Sequence, residues 1–146
     1  MAQLFINNLF YNTGYRVPNV VGNGQFDVIN NVTWTVTNRL MRANENGKLN
    51  HIGNYYDYGT RGIQATRTNL WALTTPIPQI YNTDNKFVTA GSDMTPTVAQ
   101  MNADNDLMWG QYQDGDGGLY GDRLPSSYFT ATQHTFLGRA ITPVTA

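Results

Sequence analysis

The sequence predicts a mainly β fold, a single β-sandwich or barrel-like domain over residues 1–146 with extended terminal arms and one short helix. Charged residues make up only 13% of the chain, against about 25% in a typical soluble domain. Asparagine and threonine, which disfavour helix interiors, are abundant instead. Two local patterns also indicate strands, an apolar/polar alternation from Val32 to Thr37 and a turn signal at Asn46-Gly47.

The clearest predicted strand is the alternating segment Val32 to Thr37, where three apolar residues alternate with three threonines. This period of two, in residue types that favour sheets, is typical of a half-buried strand. Asn46-Gly47 can supply positive φ at both central positions of a hairpin turn. We therefore expect the segment from Leu49 to Tyr58 to return antiparallel to the preceding strand.

The other elements are assigned from shorter signals. Ser92 to Thr97 offers helix-capping side chains, and Pro96 is tolerated in a first helical turn. No internal repeat and no linker is evident, so we expect one structural domain. The expected elements are an extended arm or loop at Asn12–Gly24, strands at Gln25–Ile29, within Ile63–Leu73 and at Lys86–Ala90, one short helix between Thr95 and Trp109, and one or two strands within Ser127–Val144.

The composition limits the classes of partner. The absence of cysteine excludes disulfides, thiolate metal sites and a cysteine nucleophile. A net charge of -1 with scattered arginines argues against nucleic-acid binding, which relies on clustered positive charge. Asn7 and Asn8 interrupt the N-terminal apolar residues, so we expect neither an export signal nor a membrane segment.

The residues that usually carry catalysis are scarce. Glu45 is the only glutamate, so a glycosidase pair would need two aspartates, and no spacing identifies them. His51 and His134 lie in no zinc-protease motif, and none of the three serines lies in a nucleophile elbow. We therefore expect no enzymatic activity and no cofactor.

The segment Gly110–Asp122 is the main candidate for a functional loop, because it packs glycines and aspartates between aromatic residues. Glycine cannot hold a conformation by itself, whereas burial of an aromatic side chain contributes about 1.5–3 kcal/mol. We therefore expect a protein-contact loop, anchored by aromatic side chains with aspartates at a wet rim. The candidate contact residues are Trp109, Tyr112, Asp114, Asp116 and Tyr120.

A calcium site is the alternative for the same loop. An EF-hand requires glycine at its sixth position and glutamate at its twelfth, and counting from Asp114 these positions hold Leu119 and Pro125. The EF-hand pattern is therefore absent. An irregular site using Asp114, Asp116 and Asp122 stays open, although we expect no bound metal.

The stretch from His134 to Thr142, HTFLGRAIT, resembles the terminal strand of lambda-type bacteriophage head decoration proteins. An aromatic residue, a glycine and an Ala-Ile run also occur near the end of those proteins. The resemblance is confined to this segment. It implies a small protein that packs as trimers on a capsid surface.

These observations together favour a virion structural protein, a bacteriophage capsid decoration (cement) protein or other head or tail component assembled in the host cytoplasm. Its expected partners are itself and other structural subunits, such as a major capsid or tail protein, and neither nucleic acid nor membrane. The alternative is a carbohydrate-binding β-sandwich lectin, with Trp109 and the Gly110–Asp122 loop at its rim. An extracellular filament subunit is a third reading, disfavoured by the missing export signal.

Overall fold

The computed structural model describes residues 2–57, 70–72, 76–89, 96–112 and 120–135. These residues are mainly β with one short α-helix, as predicted. The strands form three sheets, and every pairing between named strands is parallel except that of the last two. Sheet A contains β1 (Ala2–Ile6), β4 (Gln25–Ile29), β7 (Lys48–Ile52) and β10 (Gln79–Thr83); sheet B contains β2 (Leu9–Tyr15), β5 (Val32–Arg39), β8 (Tyr55–Asp57) and β11 (Lys86–Thr89); sheet C contains β3 (Asn19–Val21), β6 (Arg42–Asn44), β9 (Leu70–Ala72), β12 (Trp109–Tyr112) and β13 (Tyr120–Arg123).

From β1 to β12, successive strands enter sheets A, B and C in turn, so each circuit adds one strand to each sheet, and β13 then follows β12 in sheet C. The architecture is a parallel β-solenoid in which each circuit is one coil. In sheet A, Gln25 lies opposite Lys48, and Lys48 lies opposite Gln79. The sheets do not close into a barrel within the described residues, and the expectation of no internal repeat is wrong, because the coils are structural repeats.

The predicted hairpin at Asn46-Gly47 is also wrong. This turn joins β6 of sheet C to β7 of sheet A, and β7 pairs in parallel with β4 and β10. Positive φ is found at Glu45 (φ 59°) and at neither residue of the pair. Gly47 has a packing role instead, since an added Cβ would lie 3.3 Å from both the Gly22 carbonyl oxygen and the Phe26 ring.

The N-terminal region is built into the sheets. Asn12–Gly24, expected as an extended arm or loop, contains the end of β2 and all of β3. The predicted strands at Gln25–Ile29 and Lys86–Ala90 are confirmed as β4 and β11. In the predicted C-terminal strand region, the described part holds a 3-10 turn at Ser126–Tyr128 and one parallel bridge of Phe129 to Ile80, and residues 136–146 lie outside the described part of the chain.

The helix predicted before Trp109 is confirmed as α1 (Val98–Ala103), which is followed by a 3-10 turn at Asn105–Met108. Thr97 and Gln100 form a capping box, in which the Thr97 side chain accepts from the Gln100 amide and the Gln100 side chain accepts from the Thr97 amide. Met101 and Met108 are buried against the core. The helix therefore closes the C-terminal end of the solenoid.

The hydrophobic core fills the space between the three sheets. Phe26, Leu49 and Ile80 stack in one column of sheet A, and their side chains are buried. The Tyr56 and Phe87 rings of sheet B stack at a centroid distance of 5.1 Å. Sheet C contributes Val20, Ala43 and Trp109 to the same cluster.

A ladder of asparagines marks the corner between sheets A and B. Asn8, Asn31, Asn54 and Asn85 follow one another at steps of 23, 23 and 31 residues. The Asn31 side chain donates to the Asn54 Oδ1 atom at 2.9 Å, and the Asn54 side chain donates to the Asn85 Oδ1 atom at 2.9 Å. The ladder satisfies polar groups inside the corner and fixes the register between coils.

The residue before each ladder asparagine has positive φ. These residues are Asn7, Asn30, Gly53 and Asp84, with φ between 53° and 62°. Asparagine, aspartate and glycine are the residue types that adopt this conformation at least cost. At Gly53 an added Cβ would also lie 2.5 Å from the Asn30 Oδ1 atom, so a side chain would not fit there. In all four coils, therefore, the residue type before the ladder asparagine suits the backbone conformation of the corner.

Candidate binding surface

The structure describes only the two ends of the predicted contact loop, because residues 113–119 lie outside the described part of the chain. Trp109 is 1% exposed and packs edge-to-face on the His51 ring at 5.6 Å, so it is a core residue and not a surface anchor. Tyr112 and Tyr120 face each other as backbone partners in the antiparallel β12–β13 pair. Asp114 and Asp116 lie outside the described residues.

The buried histidine belongs to a closed polar network. The His51 Nδ1 atom lies 2.7 Å from the Asn82 Oδ1 atom, and the Nε2 atom lies 2.6 Å from the Tyr56 hydroxyl oxygen. The Asn82 oxygen also accepts from the Asn85 side chain, so the His51 Nδ1–H donates and the Nε2 atom accepts from Tyr56. Burial lowers the pKa of His51 to about 4, although the bond to Asn82 opposes this shift. Because both ring nitrogens are bonded inside the core, the imidazole is structural.

A second polar cluster lies under the segment Thr130–Thr135, here called the C-terminal strap. The Asn50 side chain donates to the Asp27 Oδ1 atom at 2.6 Å and to the His134 carbonyl oxygen at 2.7 Å. The His134 amide donates back to the Asn50 Oδ1 atom at 2.9 Å. Burial raises the pKa of Asp27 and lowers that of His134. The strap thus lies across the outer side of sheet A, over the buried Asp27 and Asn50 side chains.

A polar cleft of about 370 Å³ lies between the β10–β11 turn and the end of α1, lined by residues 82–86 and 102–106. Burial raises the pKa of Asp106, whose Oδ1 atom accepts from the Asn82 side chain at 3.1 Å. Within the described part of the chain, no group of three or more His, Cys, Asp or Glu side chains is placed to hold a metal ion. Among the described residues the cleft therefore holds no such metal-ligand group.

The outer face of sheet B is the most distinctive surface. Leu9, Val32 and Tyr55 lie opposite one another in successive strands, and Tyr11 lies opposite Trp34. Leu9 is 64% exposed, Tyr11 62% and Trp34 47%. Together with Val88 of β11, these exposed side chains form what we call the sheet B face; its members are Leu9, Tyr11, Val32, Trp34, Tyr55 and Val88.

This arrangement reverses the usual orientation of an alternating strand. Val32 is 40% exposed whereas Thr33 is 3% exposed, so the β5 strand is confirmed but the Val32 and Trp34 side chains point outward. The inward column of sheet B holds Thr33, Tyr56 and Phe87. In sheet B, therefore, one set of side chains fills the core, and a second set, which is also apolar, lies on the surface.

Two strained residues follow the aromatic pair of this face. The Tyr11 and Trp34 rings make an edge-to-face contact at a centroid distance of 5.5 Å. The next residues, Asn12 (φ 51°) and Thr35 (φ 59°), both have positive φ. This conformation is unfavourable for a β-branched residue such as Thr35, and strain of this kind clusters at functional sites.

Sequence reasoning did not identify the sheet B face. The alternation at Val32–Thr37 reveals a strand but not which of its two sides faces the core. The available signal was the asparagine spacing of 23 residues, which would have aligned Leu9 with Val32 and Tyr11 with Trp34.

None of the described helices is long and apolar enough to cross a membrane. Comparison with protein-family models, curated proteins and solved structures finds no match for this chain.

Proposed function

We propose that this protein is a structural subunit of a virus particle, a bacteriophage capsid decoration protein or other head or tail component, which docks onto another protein subunit through the sheet B face. The observation that carries the docking role is the ordered apolar surface formed by Leu9, Val32, Tyr55 and the Tyr11–Trp34 pair. The assignment to a virus particle rests on the charge-poor, asparagine-rich sequence and on the resemblance of its C-terminal segment.

The chemistry of the face favours a protein partner. Aromatic residues supply large contact area in protein interfaces, and exposed apolar patches mark interaction sites. The aliphatic side chains of Leu9, Val32 and Val88 offer no hydrogen bonds to a sugar but lose contact with water in a protein interface. Each large apolar side chain that becomes buried contributes about 1.5–3 kcal/mol before the costs of association.

The geometry of the face also suits docking. Neighbouring strands in a sheet lie about 4.8 Å apart, so the side chains of successive coils form regular columns on a rigid support. Lys86 continues the column of Leu9, Val32 and Tyr55. One lysine at the end of the column does not provide the clustered positive charge that a polyanion requires.

Carbohydrate binding is the second candidate, and the Tyr11–Trp34 pair favours it. An exposed aromatic ring can stack on the apolar face of a sugar ring. In this case the Trp34 ring would carry the binding, and Leu9 and Val32 would contribute little.

Photocrosslinking in the native source tests the proposal. A photoreactive phenylalanine analogue is placed at Val32, and in a control at Val21, which is exposed at 39% on sheet C. We expect the protein to sediment with purified particles, and the Val32 position to crosslink to one defined particle subunit while the Val21 position does not. Recovery away from particles, or equal crosslinking at both positions, contradicts the proposal.

Matched variants separate the two candidates. Val32→Ser and Trp34→Ala should both weaken association with particles, and Val21→Ala should not. On a glycan array, signal that is lost with Trp34→Ala but kept with Val32→Ser would instead establish the carbohydrate reading.

A further inference from the structure

Among the described residues, the first coil presents an open edge. β1, β2 and β3 each occupy the terminal position of their sheet, and each pairs with a described strand on one side only. The Asn7 amide donates to the Ile29 carbonyl oxygen, and backbone groups alternate in direction along a strand. The backbone N–H and C=O of Leu4 therefore point to the open side of β1.

The opposite end of the solenoid is covered in sheets A and B. The Asn102 side chain accepts from the Phe87 amide and donates to the Phe87 carbonyl oxygen, both at 2.8 Å, so it caps the edge of β11. Asn105 bonds the amide and carbonyl of Asn85 in the same way. In sheet A, the Thr130 amide donates to the Ile80 carbonyl oxygen. Among the described residues, asparagines that bond both the amide and the carbonyl of an edge residue lie at this end, whereas at the first coil the Asn8 side chain bonds one edge group, the Ile6 carbonyl oxygen, at 3.2 Å.

The core is also less well covered at the first coil. Phe5 and Ile6 are half-buried, whereas their register partners Val28 and Ile29 are fully buried. Phe10 is half-buried as well. Its side chain occupies the inward column of sheet B, so apolar surface of the interior is left uncovered at this end.

The first coil also lacks the usual protection of strand edges. Edge strands are commonly blunted by charged side chains or proline. β1, β2 and β3 contain no charged residue and no proline. This uncharged edge is suited to pairing with another strand.

We propose that the open edge pairs with the same edge of a second copy of this chain, with β1 antiparallel to its counterpart across a two-fold axis at Leu4. In this register Leu4 of one copy lies opposite Leu4 of the other, and Ala2 lies opposite Ile6, so the open-side backbone groups of the two strands can pair. The Ile6 carbonyl oxygen already accepts from the Asn8 side chain and has a second lone pair for this bond. The two-fold axis would place β2 against the partner's β3 and would cover the half-buried Phe5 and Phe10 side chains.

The caps determine this symmetry. A head-to-tail contact would need a C-terminal edge that is open in all three sheets, and the side chains of Asn102 and Asn105 occupy that of sheet B. Among the described residues, the first coil is the end at which the terminal strands of all three sheets are open. An interface between identical edges closes after two copies and gives a dimer rather than a fibre.

Sedimentation velocity of the full chain over a concentration series tests the dimer. Leu4→Pro removes the edge amide and places a ring against the incoming strand, and a proline is tolerated on an edge strand. Leu4→Ala is the matched control, because it shortens the side chain and keeps the amide. We expect Leu4→Pro to raise the dimer dissociation constant about tenfold or more, as the loss of one hydrogen bond per copy implies, and Leu4→Ala to raise it less.

Circular dichroism checks that both Leu4 variants stay folded. A chain that is monomeric at all concentrations overturns the proposal, as does a dimer that responds equally to both substitutions. The result is separable from the docking role, because Leu4 lies on sheet A and outside the sheet B face. Failure of the dimer would leave crosslinking at Val32 unchanged, and failure of docking would leave the dimer unchanged.

Discussion

The Asn54 side chain bonds to the coils on both sides of it. It donates to the Val28 carbonyl oxygen at 2.8 Å and to the Asn85 Oδ1 atom at 2.9 Å, and it accepts from the amide and the side chain of Asn31. These bonds are buried, so water cannot replace them when the side chain is removed.

Asn54→Ala should therefore lower the free energy of unfolding by about 3 kcal/mol, because several buried groups lose their partners together. Asn46→Ala, at an exposed turn residue, is the control and should change it by less than about 0.5 kcal/mol. Urea denaturation measures both. Equal effects of the two substitutions would mean that the ladder is not a main source of stability.

The pKa of His51 predicts a loss of stability in mild acid. The ring is neutral in the folded protein down to a pKa of about 4, whereas the unfolded chain binds a proton below about 6.5. Between these values the unfolded state binds more protons, so stability falls as the pH is lowered from 6.5 to 4. The size of the effect is on the order of 3 kcal/mol.

The measurement is the free energy of unfolding at several pH values for the natural chain and for His51→Gln. The variant should show a shallower slope between pH 6.5 and 4. His134→Gln is the control. Burial also lowers the pKa of His134, but this side chain is only half-buried. Its removal should therefore change the slope of stability against pH less than removal of His51 does. An unchanged slope in His51→Gln would contradict the assignment.

Asn50→Asp should loosen the C-terminal strap. The new carboxylate would lie beside the Asp27 Oδ1 atom, to which Asn50 now donates at 2.6 Å, and two unprotonated carboxylates repel each other there. We expect a lower melting temperature at pH 7 than for Asn50→Ala, and a smaller difference between the two at pH 4. Hydrogen exchange at the His134 amide should accelerate in both variants, because its acceptor is Asn50 Oδ1 in the natural chain. Protection that persists in both would show that the strap is held elsewhere.

Arg123→Ala should have almost no effect on stability. The Arg123 guanidinium lies 3.0 Å from the Asp104 carboxylate, and both side chains are about half exposed. Exposed ion pairs contribute about 0–1 kcal/mol. A thermal melt of Arg123→Ala that differs from the natural chain by more than a few degrees would indicate a further role for Arg123.

The mainly β class and the single short helix could be predicted because they depend on local chemistry. Asparagine and threonine discourage helices anywhere in a chain, and Thr97 and Gln100 form a cap from residues three positions apart. The strand at Val32–Thr37 was likewise visible in its alternation. These signals depend on residues that are neighbours in the sequence, so they can be interpreted without knowledge of the fold.

The path of the chain could not be predicted from the same signals. Asn46-Gly47 has turn chemistry that fits a hairpin, yet the turn leads into a different sheet, because β7 finds partners in β4 and β10. Turn chemistry says that the chain bends but does not say where the next strand pairs. The candidate surface was missed for a related reason. The exposed Trp34 and the buried Tyr56 are both large aromatic residues of sheet B strands, and residue type alone does not establish which side of the sheet is inside.

The C-terminal strap changes the way in which the solenoid can unfold. A solenoid whose coils touch only their neighbours can fray from one end, one repeat at a time. Here Phe129, just before the strap, bridges Ile80 in the outermost strand of sheet A. The strap then reaches Asn50 in the neighbouring strand, where the His134 amide donates to a side chain 84 positions earlier in the chain. Detaching the final coil therefore also breaks bonds in the middle of the stack. In hydrogen exchange, the amides of β10 and β7 should consequently share one opening free energy. Closing of the strap should be a late step of folding, because its contacts join residues distant in the sequence.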